Sequence, residues 1–260
     1  MSEISDLALQ KERMSILKAR AAGPSALPEL LALARNADGE VREIALYGLD
    51  EVADRRASPA FVAALLDPEP MVRGVAMRAL HKRPDPAVYA ELLDAYDQSP
   101  EPVVRHNVAL ILGRLGAPPV DLDELGKRHE AEADPFAQEG LVVALAKLGD
   151  EGARDRFVEL LHASRGRDRG RFLEHGDYLA ERWLLPALAP LLDDFTPLLR
   201  IGVDGLPGPE YLRACDMALN LAARISAWGF SFPIDGATNY SAGALAEMRH
   251  FLDAIPRGGD

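Results

Sequence analysis

Apolar side chains in the first half of this chain recur at helical spacing and in blocks. Val41, Ala45, Leu46 and Leu49 form one stripe at i, i+4, i+5, i+8. Val72, Ala76, Met77 and Leu80 repeat it, as do Val104, Val108, Ala109 and Leu112, and then Ala137, Leu141, Val142 and Leu145. Such a stripe gives a helix one apolar face and one wet face. A shared lead-in precedes each stripe: residues 36–42 (NADGEVR), 67–73 (DPEPMVR), 99–105 (SPEPVVR) and 132–138 (EADPFAQ), whose starts lie 31, 32 and 33 residues apart.

The lead-ins read as helix starts. Asn36, Asp67 and Ser99 carry side-chain oxygens suited to cap a first turn, with Pro68 and Pro100 at the first helical position and Glu69 and Glu101 favoured by the helix dipole. In the fourth copy Asp134-Pro135 takes that role. Gly113, Gly116 and Gly149 are expected at helix ends. Shorter apolar stretches with helical spacing lie between, at Ala26–Ala34, Pro59–Leu66, Pro86–Tyr96, Val120–Leu125 and Gly152–Leu161. The predicted unit is therefore a pair of antiparallel helices that stacks on the next pair, because one pair alone cannot bury both its faces.

This unit resembles a HEAT repeat, in particular the short bacterial phycobilisome-lyase HEAT-like repeat. The carrying residues are Pro70-Met-Val-Arg73 with Ala76 and Leu80, and Pro102-Val-Val-Arg105. The resemblance covers about residues 25 to 163. It implies an all-α, right-handed α-solenoid of stacked antiparallel helix pairs with an irregular helical C-terminal cap. The organisation expected is an N-terminal capping helix in 1–24 (Ser5–Ala21), regular repeats in 25–163, an Arg/Gly-rich insert in 164–176, and a degenerate repeat with a C-terminal cap in 177–260, all in one continuous array. The degenerate copy reads as an apolar helix, Trp183–Leu192, then residues 194–200, cut short at Asp204 and Pro207. A long helix Pro209–Trp228, a turn-rich stretch Gly229–Tyr240 and a last helix Ala242–Ile255 follow.

Composition narrows the function. The chain of 260 residues has 29 basic and 41 acidic residues, a net charge of −12 and one cysteine. One cysteine excludes an internal disulfide framework and fits a reducing, cytoplasmic setting. No stretch reaches the roughly 20 apolar residues of a membrane span. Residues 1–130 carry 16 basic and 21 acidic side chains, and the remainder 13 and 20. Neither half has the basic footprint of a nucleic-acid binder, which argues against the DNA glycosylases that also use HEAT-like repeats. Ala- and Arg-rich usage fits a bacterial source.

Candidate chemistry is sparse. Arg42, Arg73, Arg105 and Arg200 recur once per unit, and are expected to bond acids or carbonyls of neighbouring units. Arg165, Arg167, Arg169 and Arg171 interrupt the repeat in an acidic chain and are candidates to contact a partner, the competing reading being a solvated linker. Trp228, Phe230, Phe232 and Tyr240 cluster within 13 residues, as an interface anchor or as a seal on the stack. His129-Glu130 is the one His-Glu pair, too few for the HEAT-type di-iron hydroxylases, so no metal and no cofactor is expected. Cys215, set among Ala214, Met217 and Ala218, reads as a buried structural thiol. No catalytic residue is assigned. The function expected is a noncatalytic scaffold or adaptor that binds a protein or peptide. The resemblance to bilin lyases gives the alternative, an accessory enzyme that attaches or isomerises a chromophore.

Overall fold

The computed structural model describes residues 23–116, 120–201 and 210–255. The expected capping helix over Ser5–Ala21 lies outside them, as do Asp204 and Pro207. The chain divides into two compact units, 1–150 and 151–260.

Among its described residues unit 1 has eight α-helices in four consecutive pairs: α1 (Leu27–Leu33) with α2 (Gly39–Val52), α3 (Ser58–Ala64) with α4 (Pro70–Lys82), α5 (Tyr89–Gln98) with α6 (Pro102–Leu115), and α7 (Leu122–Ala131) with α8 (Pro135–Leu148). The second helices stack in order, α2 on α4, α4 on α6 and α6 on α8, and α3 packs on α5. The four sequence stripes face this stack, all buried except the half-buried Val41 and Met77. Leu46, Leu49, Leu80, Leu112 and Leu141 are almost wholly removed from water. At about 25 cal/mol per Å², each such leucine contributes about 2 kcal/mol of transfer free energy.

The first three helix starts fall two residues beyond expectation, and the fourth starts at Asp134-Pro135 as expected. The N-caps are Asp38, Glu69, Glu101 and Asp134, so Pro70 and Pro102 occupy the first helical position rather than Pro68 and Pro100. In the second and third copies the cause is the second proline of the DPEP or SPEP run. A residue before proline is driven out of the α region. Glu69 accordingly sits at φ −85°, ψ 120°, and Glu101 at φ −87°, ψ 114°. The expected caps bond the residue two ahead instead: Asp67 accepts from Glu69 N–H at 2.9 Å and Asn36 from Asp38 N–H at 2.9 Å. Gly113 lies buried inside α6 rather than at its end. Gly116 and Gly149 do end their helices, at φ +79° and +103°.

One close approach fixes the α6–α8 contact. A Cβ added at Gly140 would sit 2.8 Å from both the Cα and the carbonyl oxygen of His106. Only glycine lets these backbones meet. His106 donates from Nδ1 to the Phe136 carbonyl at 2.8 Å, and its ring lies flat on Phe136, with centroids 4.1 Å apart.

Unit 2 contains α9 (Glu151–Ala163), α10 (Gly166–Leu179), the short α11 (Leu185–Leu188), a two-stranded antiparallel ribbon of β1 (Pro197–Arg200) and β2 (Tyr211–Arg213), α12 (Ala214–Ser226) and α13 (Ala242–Asp253). Three expectations change here. The helix expected over Trp183–Leu192 is broken into a 3-10 turn, α11 and a second 3-10 turn at Ala189–Asp193. Pro186 and Pro190 each open a new piece because neither can donate to the turn before it. Residues 194–200 do not start a repeat helix, since Leu199 and Arg200 pair with Leu212 and Tyr211 as strands. That pairing also delays the helix expected from Pro209 until Ala214. Among the described residues no helix is long and apolar enough to cross a membrane.

Candidate interaction surfaces

Two of the three recurring arginines of unit 1, Arg42 and Arg105, tie repeats together. Arg42 forks onto Asp67, with Nε to Oδ2 at 2.7 Å and Nη2 to Oδ1 at 2.8 Å, and also donates to the Asn36 and Ala37 carbonyls. Arg105 forks onto Glu132 at 2.8 and 3.0 Å and donates to the Ser99 carbonyl at 2.9 Å. Asp67 and Glu132 open the lead-in of the following repeat. Arg73 makes the same carbonyl bonds, to Asp67 and Pro68, but the following lead-in opens with Ser99. Arg105 holds the Glu132 carboxyl down at about 2, against the opposing effect of burial. Tyr96 donates its hydroxyl to the same carboxylate at 2.7 Å. Arg200 departs from this set. It sits exposed on β1, 3.9 Å from Glu210, because its segment is a strand.

The arginine run is not a loop. Arg165 is extended and precedes α10, Gly166 makes the turn at φ +52°, and the rest of the run is helical. Arg165 donates to the His162 and Ser164 carbonyls at 2.8 and 2.7 Å, closing the end of α9. Arg169 is buried, ion-paired with Asp194 and bonded to the Ser164 carbonyl and hydroxyl. Burial lowers its pKa, partly offset by Asp194. Arg171 pairs with Asp168 at 2.9 Å, and Arg167 is exposed on the helix. Arg165 and Arg169 line an open groove with His162, Asp193, Asp194 and Thr196. Its two carboxylates leave little net positive charge for an anionic partner.

The aromatic segment does gather. Phe230 stacks on Phe232 at 5.4 Å, and Phe232 meets Tyr240 edge-on at 5.6 Å. Phe251 of α13, which the sequence alone does not single out, joins Trp228 at 5.7 Å and Phe230 at 5.5 Å. Trp228 remains 62% exposed. Tyr240 is different: it is buried, donates to Asn220 at 2.7 Å and accepts from Asp235 N–H at 2.8 Å. Its backbone N–H and carbonyl bond Asp216 and Arg213, and Arg213 forks onto Asp216 at 2.7 Å twice. Tyr240 is therefore the root of this segment and Trp228 its exposed tip. Cys215 beside this network is buried, and burial, then the Asp216 charge, pushes its thiol up to about 11. It is not a ready nucleophile.

Stacked helix pairs tied by forked arginines define an α-solenoid of the HEAT class in unit 1. The HEAT repeats as a family match residues 27–111, so the chain carries HEAT repeats. Among solved structures, the complex of CpcE and CpcF of phycocyanin lyase from Nostoc sp. PCC7120 is similar, at 17% identity and a TM-score of 0.55. The likeness covers 97% of this chain and 91% of that one. It establishes a shared helical fold. No curated protein matches the chain.

Proposed function

We propose that the protein is a noncatalytic scaffold that binds a partner protein, with Trp228 as the anchor of the contact. The observation that carries this reading is a tryptophan left 62% exposed on a cluster that includes Phe230 and Phe251. A large apolar side chain left in water at such a cluster gains on being covered, and tryptophan is among the residue types enriched at hot spots. Support also comes from the similar solved structure, which is itself a complex of two chains. The test places a photocrosslinking side chain at position 228 in the native host, with a second at the exposed Arg56 as control. One protein adduct specific to position 228 is the expected result. Equal labelling from both positions would remove the anchor.

A second reading is favoured by that same structure, since it belongs to a phycocyanin lyase. In that reading the chain assists attachment or isomerisation of a bilin. Incubation with a bilin and a phycobiliprotein acceptor distinguishes the two: a covalent chromophore adduct that depends on this chain supports the lyase reading.

A further inference from the structure

In unit 1 an aspartate caps the first turn of three successive elements. Asp54 accepts from Arg56 N–H, Asp85 from Ala87 N–H and Asp121 from Asp123 N–H. Four residues after each stand Ser58, Tyr89 and Leu125. The Tyr89 hydroxyl reaches the next repeat, accepting from Asp121 N–H at 3.3 Å and donating to Glu124 at 3.0 Å. Ser58 makes the matching link with a hydroxyl alone, donating to Asp85 Oδ2 at 2.7 Å. Where the later repeats put a ring or a leucine, this one leaves space. A cavity of about 200 Å³ occupies it, lined by apolar residues that include Phe61 and Leu80 and by Arg55, Arg83, Ser58 and Asp85.

The charges at this cavity are unbalanced in a particular way. Asp85 is 5% exposed and pairs with no cation among the described residues. A buried carboxylate ordinarily has a cationic partner. Each of its oxygens accepts one hydrogen bond here and has a lone pair to spare. Arg83 is committed to Asp50, and Asp54, which also lines the cavity, to Arg56. Arg55 is exposed and pairs with no carboxylate among the described residues. One cavity is thus lined by a buried carboxylate, an arginine committed to no carboxylate among the described residues, and hydrocarbon.

We propose that this cavity binds a small zwitterion of the free amino-acid class with an apolar side chain. Its ammonium group donates to Asp85, its carboxylate meets Arg55, and its hydrocarbon lies on Phe61 and Leu80. The size agrees, since a dry cavity of roughly 150 Å³ already accepts benzene. A ligand with only one charge would forgo one of these two charge-assisted contacts.

The test is titration calorimetry of the full chain with L-leucine and L-phenylalanine, beside isoamylamine and 4-methylpentanoate, each of which lacks one charged group. Saturable one-to-one binding of at least one amino acid is expected, with both fragments about tenfold or more weaker. Ser58→Tyr places in this repeat the side chain of the next and fills the cavity. Arg55→Ala changes an exposed side chain and leaves the core intact, so it carries the test if Ser58→Tyr fails to fold. Both variants are expected to bind about tenfold or more weakly. Binding of neither amino acid, isoamylamine binding as tightly as leucine, or leucine binding that survives Arg55→Ala would overturn the proposal.

Discussion

Arg105 reaches from one repeat to the next and closes a two-pronged bond on Glu132, with Nε to Oε2 at 2.8 Å and Nη2 to Oε1 at 3.0 Å. Both side chains are largely removed from water, at 16% and 7% exposure. Removing the guanidinium leaves a buried carboxylate with only Tyr96 and a backbone N–H to hold it. Arg105→Ala is expected to cost about 2–4 kcal/mol in urea unfolding. Arg105→Lys should recover less than half, because an ammonium cannot form the fork.

The same pair sets an acid limit. The Glu132 carboxyl is held at about 2 in the folded chain, below its ordinary 4.5. A depressed folded pKa contributes stability that is present above the unfolded value and lost as pH falls through the folded one. Stability should therefore decline between about pH 5 and pH 2, by about 2–3 kcal/mol from this group. Glu132→Gln should flatten that part of the profile in melts recorded across the range.

Arg73 offers the converse experiment. It holds the Asp67 and Pro68 carbonyls as its counterparts hold theirs, but the next lead-in begins with Ser99 instead of an acid. Ser99→Asp supplies the missing carboxylate. A gain of about 0.5–1 kcal/mol in urea unfolding is expected, sensitive to salt. The gain should vanish in the Arg73→Ala background.

Two glycines in helices should respond in opposite directions. Gly140 meets the His106 backbone at 2.8 Å, so Gly140→Ala must push α6 from α8 and is expected to cost about 2 kcal/mol or more. Around Gly126 in α7 a Cβ would find nothing within 4 Å. Gly126→Ala should stabilise by about 0.5–1 kcal/mol through helix propensity. Thermal melts of both variants check the pair.

The root of the aromatic segment is equally open to test. Asp216 is fully buried and accepts from Arg213 and from the Tyr240 backbone. Asp216→Ala is expected to cost about 3 kcal/mol and to raise hydrogen exchange across residues 228–241. Unchanged exchange there would mean that the segment is held by its rings alone.

The regular repeats were legible because each stripe, lead-in and proline restates the same local physics. At the second and third helix starts the cap oxygens of Asp67 and Ser99 compete with the second proline, whose steric effect on Glu69 and Glu101 is stronger and moves the start by two residues. In unit 2 the signal was disguised. Arg169, Phe172, Leu173, Gly176 and Leu179 do form a buried helical stripe. Its first member is an arginine whose burial depends on Asp194, 25 residues away, so it read as a charged run. The ribbon of β1 and β2 was likewise invisible, because strand pairing between residues 197–200 and 211–213 is a nonlocal choice. Phe251 escaped notice because it looked like one more apolar residue on an amphipathic helix. The Ser58 cavity lies at a small residue where the two following repeats carry Tyr89 and Leu125.

The central claim is that Trp228 anchors a protein partner. The most direct measurement is the affinity of the partner recovered by crosslinking at position 228, determined by calorimetry for the native chain and for Trp228→Ala. Trp228 is mostly exposed, so the variant should still fold, losing only its ring contact with Phe251, worth about 0.5–1.5 kcal/mol. A loss of about 30-fold or more, about 2 kcal/mol, is the predicted result. Equal affinity for the two chains would contradict it.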